Sequence, residues 1–120
     1  YNNEESHKIY AGADFLMMPS IFEPCGISQL IAMRYGTIPV VRETGGLRDT
    51  VQSFNEFSKE GNGFSFTNIN AHDFLHTLRR AISFYYNDDF KIIQENAMKS
   101  KNDWEKSAKE YIQLYEEIIK

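Results

Sequence analysis

Apolar positions along this chain follow two alternating patterns. Asp14-Phe15-Leu16-Met17-Met18 and Ile38-Pro39-Val40-Val41 are short, nearly unbroken apolar runs, with the length and continuity of strands buried on both faces. Between them Ile27, Leu30, Ile31 and Arg34/Tyr35 recur at helical spacing and Gly36 closes the segment, which predicts a helix over 27–35. Ahead of the first run, Glu4 to Ala13 reads as a short helix, with Asn2 as N-cap, Glu5 at the capping-box position and Gly12 weakening its end. Pro39 sits near the start of its strand, where a missing ladder donor is tolerated.

Beyond the second run, Glu43-Thr44-Gly45-Gly46-Leu47 reads as a glycine-rich loop. Gly61 to Gly63 marks a turn, and Phe64-Ser65-Phe66 a short strand. From Ala71 the pattern is helical. Phe74, Leu78, Ala81, Ile82 and Tyr85 form an apolar stripe opposite His72, His76, Arg79 and Ser83. Asn87-Asp88-Asp89 interrupts it, and a second helix is expected over about Asp89 to Met98. The last helix begins near Asn102, with Trp104, Ala108, Tyr111, Ile112, Tyr115, Ile118 and Ile119 as its predicted buried side.

The order helix, strand, helix, strand, loop, strand, helices belongs to parallel βαβ units, which places the chain in the α/β class. A right-handed crossover lays helix 27–35 over the two strands it joins. The loops Glu23–Gly26 and Glu43–Gly46 then fall side by side at the carboxyl edge of the sheet, where α/β proteins bind anions and phosphates.

Composition narrows the classes. A chain of 120 residues is about one domain, and 42% apolar with 25% charged residues is ordinary for a globular protein. A net charge of −4 without a run of basic residues argues against a non-specific nucleic-acid binder. One cysteine excludes an intrachain disulfide framework and a multi-cysteine metal site, and fits a reducing compartment. No apolar stretch approaches the ~20 residues of a membrane span, and no signal-peptide pattern opens the chain. The start at Tyr1, without a Met, predicts a fragment or a processed chain, and a function carried out inside a longer protein.

Candidate chemistry concentrates in Glu23-Pro24-Cys25-Gly26-Ile27-Ser28-Gln29-Leu30. Gly26 and Ser28 read either as the start of a phosphate-binding helix or merely as turn residue and cap. Glu23 reads as an acceptor for a hydroxyl-rich ligand, as a stabiliser of positive charge at a reacting carbon, or as a solvated carboxylate. Cys25 could be a nucleophile activated by a helix N-terminus, but no His–Asn or His–Asp partner is in view, so a small packed thiol is expected. Gly45-Gly46 alone marks a turn. His72 and His76 share a helix face without the His-Glu-x-x-His pattern, so a solvated face is expected there rather than a metal.

A larger set of residues carries a family resemblance. Tyr1, Ser6-His7, Ala13-Asp14, Pro19-Ser20, the run from Phe22 to Leu30, Tyr35-Gly36-Thr37, Pro39 and Thr44-Gly45-Gly46-Leu47-Arg48-Asp49-Thr50-Val51 resemble the carboxyl-terminal part of bacterial glycogen synthases and plant starch synthases. Trp104, Ala108-Lys109, Tyr111 and Leu114-Tyr115 resemble the closing helix of that family, at 102–120. The likeness covers essentially the whole chain and is strongest over 13–51; Phe-Glu-Pro-Cys-Gly is its specific signature.

The resemblance implies a retaining glucosyltransferase of the two-domain GT-B type, moving glucose from ADP-glucose to the non-reducing end of an α-1,4-glucan. Residues 1–120 would be part of its Rossmann-like carboxyl-terminal domain, a parallel sheet with flanking helices, and the amino-terminal acceptor domain would lie elsewhere. Carried over, Glu23 is the acidic residue beside the donor sugar. Gly26, Ile27 and Ser28 hold the diphosphate, Tyr1 stacks on adenine, and Thr44-Gly45-Gly46 approaches the sugar–phosphate end. Cys25 lines the pocket without covalent catalysis. No cofactor or metal is implied. The compartment implied is bacterial cytosol, or a plastid for a plant protein.

Two departures qualify the likeness. Related retaining transferases often carry a second glutamate eight positions after the first, where this chain has Ile31, as fits the glycogen synthase branch. The Arg and Lys that bind the diphosphate in that family would lie upstream of Tyr1, so residues 1–120 alone are expected to lack turnover and to bind ADP poorly. Strands expected before residue 1 would leave strand 14–18 with an unpaired edge. Two other classes stay open on residues alone: a non-catalytic nucleotide- or phosphate-binding α/β module, which could dispense with Glu23, and an interaction domain using the aromatic last helix.

Overall fold

The computed structural model of the protein describes residues 1–120. The elements are α1 (Asn3–Gly12), β1 (Phe15–Met18), α2 (Ser28–Arg34), β2 (Ile38–Arg42), α3 (Gly45–Thr50), β3 (Phe64–Phe66), α4 (Ala71–Tyr85), α5 (Asp89–Lys99) and α6 (Trp104–Ile119). The strands form one parallel sheet in the order β1-β2-β3. Phe15 pairs with Ile38 and Met18 with Val41, while Val40 pairs with Phe64 and Arg42 with Phe66. The class is α/β, as the element order predicts.

Burial on β2 alternates between two apolar clusters. Ile38 and Val40 face one side, with Phe64, Met33 of α2, Ala81 and Phe84 of α4 and Ile93 of α5. Val41 faces the other, against Leu47 and Val51 around α3, with Met18 alongside. Ile38 N–H donates to Asp14 O at 2.9 Å, so the Pro39 nitrogen points toward β3, one residue before that ladder begins at Val40. Proline therefore interrupts no ladder bond, even in the central strand.

Four expectations are corrected. Strand β1 is not buried on both faces: Phe15, Leu16 and Met18 are half-buried and Met17 is 54% exposed, because β1 is an outer strand with β2 as its one neighbour. Helix α2 buries Gln29, Ala32 and Met33 rather than the Ile27–Tyr35 stripe. That stripe instead lines an open groove of about 870 Å³ against His7 of α1 and the segment after Met98. Residues 45–50, read as loop, form helix α3. Finally, α6 forms with Asp103 as its N-cap, yet none of its residues is buried.

The remaining elements form where local chemistry dictates. Asn2 caps α1 by accepting from Glu5 N–H at 3.1 Å, and Asn70 caps α4 by accepting from Asp73 N–H at 2.8 Å. In α4 the buried positions are Thr77, Ala81 and Phe84, while Ile82 and Tyr85 of the predicted stripe are exposed. His72, His76, Arg79 and Ser83 are exposed, as the polar face requires. Thr37, buried at the start of β2, donates its hydroxyl to the carbonyls of Tyr10 and Ala13 and so pins the end of α1 to the sheet.

Candidate functional site

The β1–α2 and β2–α3 connections meet at the carboxyl edge of the sheet. Arg42, the last residue of β2, holds the first of them. Its guanidinium donates to the carbonyls of Ser20 at 3.2 Å and Ile21 at 2.8 Å, and to Thr67 beyond β3 at 3.2 Å. The loop that carries Glu23 is thereby tied to the end of β2 and to the segment after β3. Glu23 itself is half-buried.

The chain then turns at Gly26, whose φ of +72° favours glycine. Helix α2 begins without a side-chain cap: Ile27 occupies the N-cap position and makes none of the bonds a Ser or Asp would make. Ser28 is the first helical residue and not the cap. The first amides to find a partner are Leu30 and Ile31, which both donate to Ile27 O, at 2.9 and 3.0 Å. The N–H groups of Gly26, Ile27, Ser28 and Gln29 meet no protein acceptor. Such a run carries partial positive charge and suits an anion.

Helix α3 starts against this turn. Gly46 N–H donates to Pro24 O at 3.1 Å. A Cβ built on Gly45 would overlap the carbonyl oxygen of Glu23, and one built on Gly46 would overlap that of Cys25. The backbones of the two connections are therefore in contact, and no residue with a side chain fits at either glycine. Gly45 also has φ +45°, and its own N–H has no protein acceptor. Thr44 stands at the N-cap of α3 without a side-chain bond. Glu43 turns aside, accepting from Ser65 Oγ at 2.7 Å.

Of the residues the sequence singles out, Glu23, Cys25, Gly26, Ile27, Ser28, Thr44, Gly45 and Gly46 lie on these two touching connections. Tyr1 is not drawn in: it is fully exposed and its hydroxyl bonds only to Asn3, at 3.4 Å. Cys25 is exposed rather than packed, and what it turns to the protein is its carbonyl, against Gly46 and the Gln29 amide. His7 is exposed, and its Nδ1 lies 2.9 Å from the Tyr35 hydroxyl.

Sequence reasoning passed over Arg42 and Gln29. Arg42 is signalled by a cation closing a buried strand at the sheet's carboxyl edge. Gln29 is signalled by its register with Ala32 and Met33, one polar residue on the face that α2 buries. Its Nε2 donates to Gly26 O at 2.9 Å, Cys25 O at 3.2 Å and Thr50 Oγ1 at 3.2 Å.

Comparison with known proteins follows the same line. Over 120 residues the chain is 96% identical to a glycogen synthase of Finegoldia magna, a match that covers all of this chain and 25% of that protein. Over 116 residues it is 63% identical to a glycogen synthase of Geobacillus thermodenitrificans, covering 96% of this chain and 24% of the other. Among solved structures, the catalytic domain of starch synthase IV from Arabidopsis thaliana, bound to ADP and acarbose, matches with a TM-score of 0.85 and 39% identity. That match covers 98% of this chain and 25% of the plant chain. The chain thus spans about a quarter of the length of these relatives. Residues 1–110 match the family model of glycosyl transferases group 1, and the chain belongs to that family.

Proposed function

We propose that residues 1–120 form most of the nucleotide-sugar-binding domain of a glycogen synthase, which transfers glucose from ADP-glucose to the non-reducing end of an α-1,4-glucan with retention. The observation that carries this reading is the run of unpartnered amides at Gly26–Gln29, set between Glu23 and the Gly45–Gly46 turn. A plant relative that matches over nearly the whole chain is bound to ADP, which supports an adenosine diphosphate at this edge.

The chemistry follows from charge. As the glycosidic bond to phosphate lengthens, negative charge grows on the departing diphosphate and positive charge on the anomeric carbon. Fixed N–H donors at Gly26, Ile27 and Ser28 meet the first, and the Glu23 carboxylate, beside the donor sugar, meets the second. Thr44, Gly45 and Gly46 close on the sugar–phosphate end, where bare backbone allows near approach. Stacking of Tyr1 on adenine rests on the family likeness alone, since residues 1–120 leave that ring fully exposed. Cys25 lines the pocket and forms no covalent intermediate. Basic side chains for the diphosphate and the surface for the glucan acceptor come from the remainder of the longer enzyme. A reducing, cytosolic compartment fits the free thiol.

The test grafts residues 1–120 into the Finegoldia magna glycogen synthase in place of the matching quarter, and measures turnover with ADP-glucose, UDP-glucose and glycogen. Turnover is expected with ADP-glucose. Glu23→Gln should lower kcat by about a hundredfold or more while ADP still binds, the signature of a group that acts in the transition state. A graft that binds ADP without turnover would favour a module that only binds nucleotide, and unchanged turnover in Glu23→Gln would remove Glu23 from the chemistry.

A further inference from the structure

Gln29 is fully buried, yet its Oε1 has no hydrogen-bond partner. The carboxamide cannot be turned around to cure this, since two of its neighbours are the carbonyls of Cys25 and Gly26, which only accept. Its third neighbour, Thr50 Oγ1, donates its own proton to Gly46 O at 2.6 Å and so accepts from Gln29. One relay of hydrogen bonds therefore runs from the first connection, through Gln29 and Thr50, into the second. As core filling, Gln29 is a poor choice, because its own Oε1 is stranded; what a methionine of similar length would lose is the donor to the Cys25 and Gly26 carbonyls. Every bond the side chain makes goes to the first connection or to the Thr50 hydroxyl, which carries it on to Gly46 of the second.

We propose that Gln29 and Thr50 are positioning residues, a two-part latch that fixes the spacing between the Glu23–Gly26 turn and the Gly45–Gly46 turn, and through it the rate of glucosyl transfer. The inference rests on the function proposed above. Gly26 belongs to the same device: a Cβ there would stand 2.5 Å from Gln29 Oε1, so a side chain at 26 would drive the carboxamide off its partners.

The test uses the grafted synthase with Gln29→Met, Thr50→Val, Thr50→Ser and the double variant Gln29→Met/Thr50→Val. Gln29→Met and Thr50→Val should each lower kcat about tenfold while the Kd for ADP moves less than about threefold. Thr50→Ser, which keeps the hydroxyl, should recover most of what Thr50→Val loses. The double variant should be little worse than Gln29→Met, since both remove one relay.

A second readout does not depend on turnover. Cys25 is exposed, and its alkylation rate by iodoacetamide, followed by mass spectrometry of its peptide, reports where the first turn sits. Gln29→Met and Thr50→Val should raise that rate about threefold or more, and Thr50→Ser should not. Full kcat in a folded Gln29→Met, equal losses in Thr50→Ser and Thr50→Val, or an unmoved Cys25 rate would each overturn the latch. Should Gln29→Met fail to fold, the Thr50 pair decides. A graft without turnover whose Cys25 rates still follow this order would refute the proposed function and keep the latch.

Discussion

The α-carbon of Gly46 rests against the backbone carbonyl of Cys25, so closely that a methyl group has no room there. Both groups are backbone, so neither can swing aside as a flexible side chain would. Gly46→Ala must therefore part the two connections or strain them. Overpacking of this kind costs about 1–3 kcal/mol, and more where nothing relaxes. Urea denaturation should show a loss of that order, and turnover of the grafted synthase should fall with it. Gly12, at the end of α1, is the control, because a Cβ there meets nothing within 4 Å. Gly12→Ala should leave turnover intact and add about 0.4–1 kcal/mol by restricting the unfolded chain.

Arg42 offers a second test of how the site is held. Its guanidinium reaches three carbonyls on two sides of β2, a geometry that a lysine ammonium on a flexible stem cannot reproduce. Arg42→Lys keeps the charge but frees the loop at Ser20 and Ile21. Expected is a kcat lower by about tenfold with a stability change under ~1 kcal/mol. Arg42→Ala, which strands those carbonyls, should cost about 1–3 kcal/mol in addition. Turnover unaltered by Arg42→Lys would show that the loop needs no clamp.

The first two strands and the meeting of their loops were legible because a βαβ order dictates them: Phe15–Met18 and Ile38–Val41 could only lie parallel once helix 27–35 joined them. What escaped depends on tertiary context. In α2, Ile27, Leu30 and Ile31 outweigh Gln29, Ala32 and Met33 in hydrophobicity, yet the sheet fully buries the second set, leaving Ile27 and Ile31 on the groove and Leu30 half-buried between groove and core. The packing of Met33 against Ile38 and Val40, and the bonds of Gln29, choose that face. Helix α3 was hidden behind two glycines, which ordinarily end helices; here they begin one, because the neighbouring loop forbids a Cβ. The role proposed for Glu23 comes only through the family likeness, since one carboxylate in one loop has many uses.

Core stability leans on a residue outside every helix and strand. Phe54 is 2% exposed, with its ring edge-on to Phe84 at 5.4 Å between centroids. Its carbonyl accepts from Arg80 Nη2 at 2.8 Å, and the same guanidinium lies over the rings of Phe64 and Phe84 at 5.4 and 5.2 Å. Phe54→Ala opens a cavity beneath α4 and should cost about 3–5 kcal/mol. Phe57, three residues on and 88% exposed, should cost under about 0.5 kcal/mol when changed to Ala. Denaturation midpoints of the two variants separate burial from residue type.

The last helix carries an apolar stripe with nothing of this chain upon it. Tyr111, Ile112, Tyr115, Ile118 and Ile119 are all more than half exposed, and Trp104 is 82% exposed. Burial of that stripe would return about 25 cal/mol for each Å² covered, which makes it a natural contact for the remainder of a longer enzyme. Trp104 is the one tryptophan in the chain, so its fluorescence reads this directly. In residues 1–120 alone it should emit as an indole in water and be fully open to acrylamide. Removing 104–120 should shift the stability of what is left by less than about 0.5 kcal/mol, since no residue of α6 is buried. In the grafted synthase, the emission that Trp104→Phe removes should lie at shorter wavelength and be less open to acrylamide, if the stripe is covered there as proposed. Emission unchanged between the two would show that 102–120 stays free, and that the stripe serves some other contact.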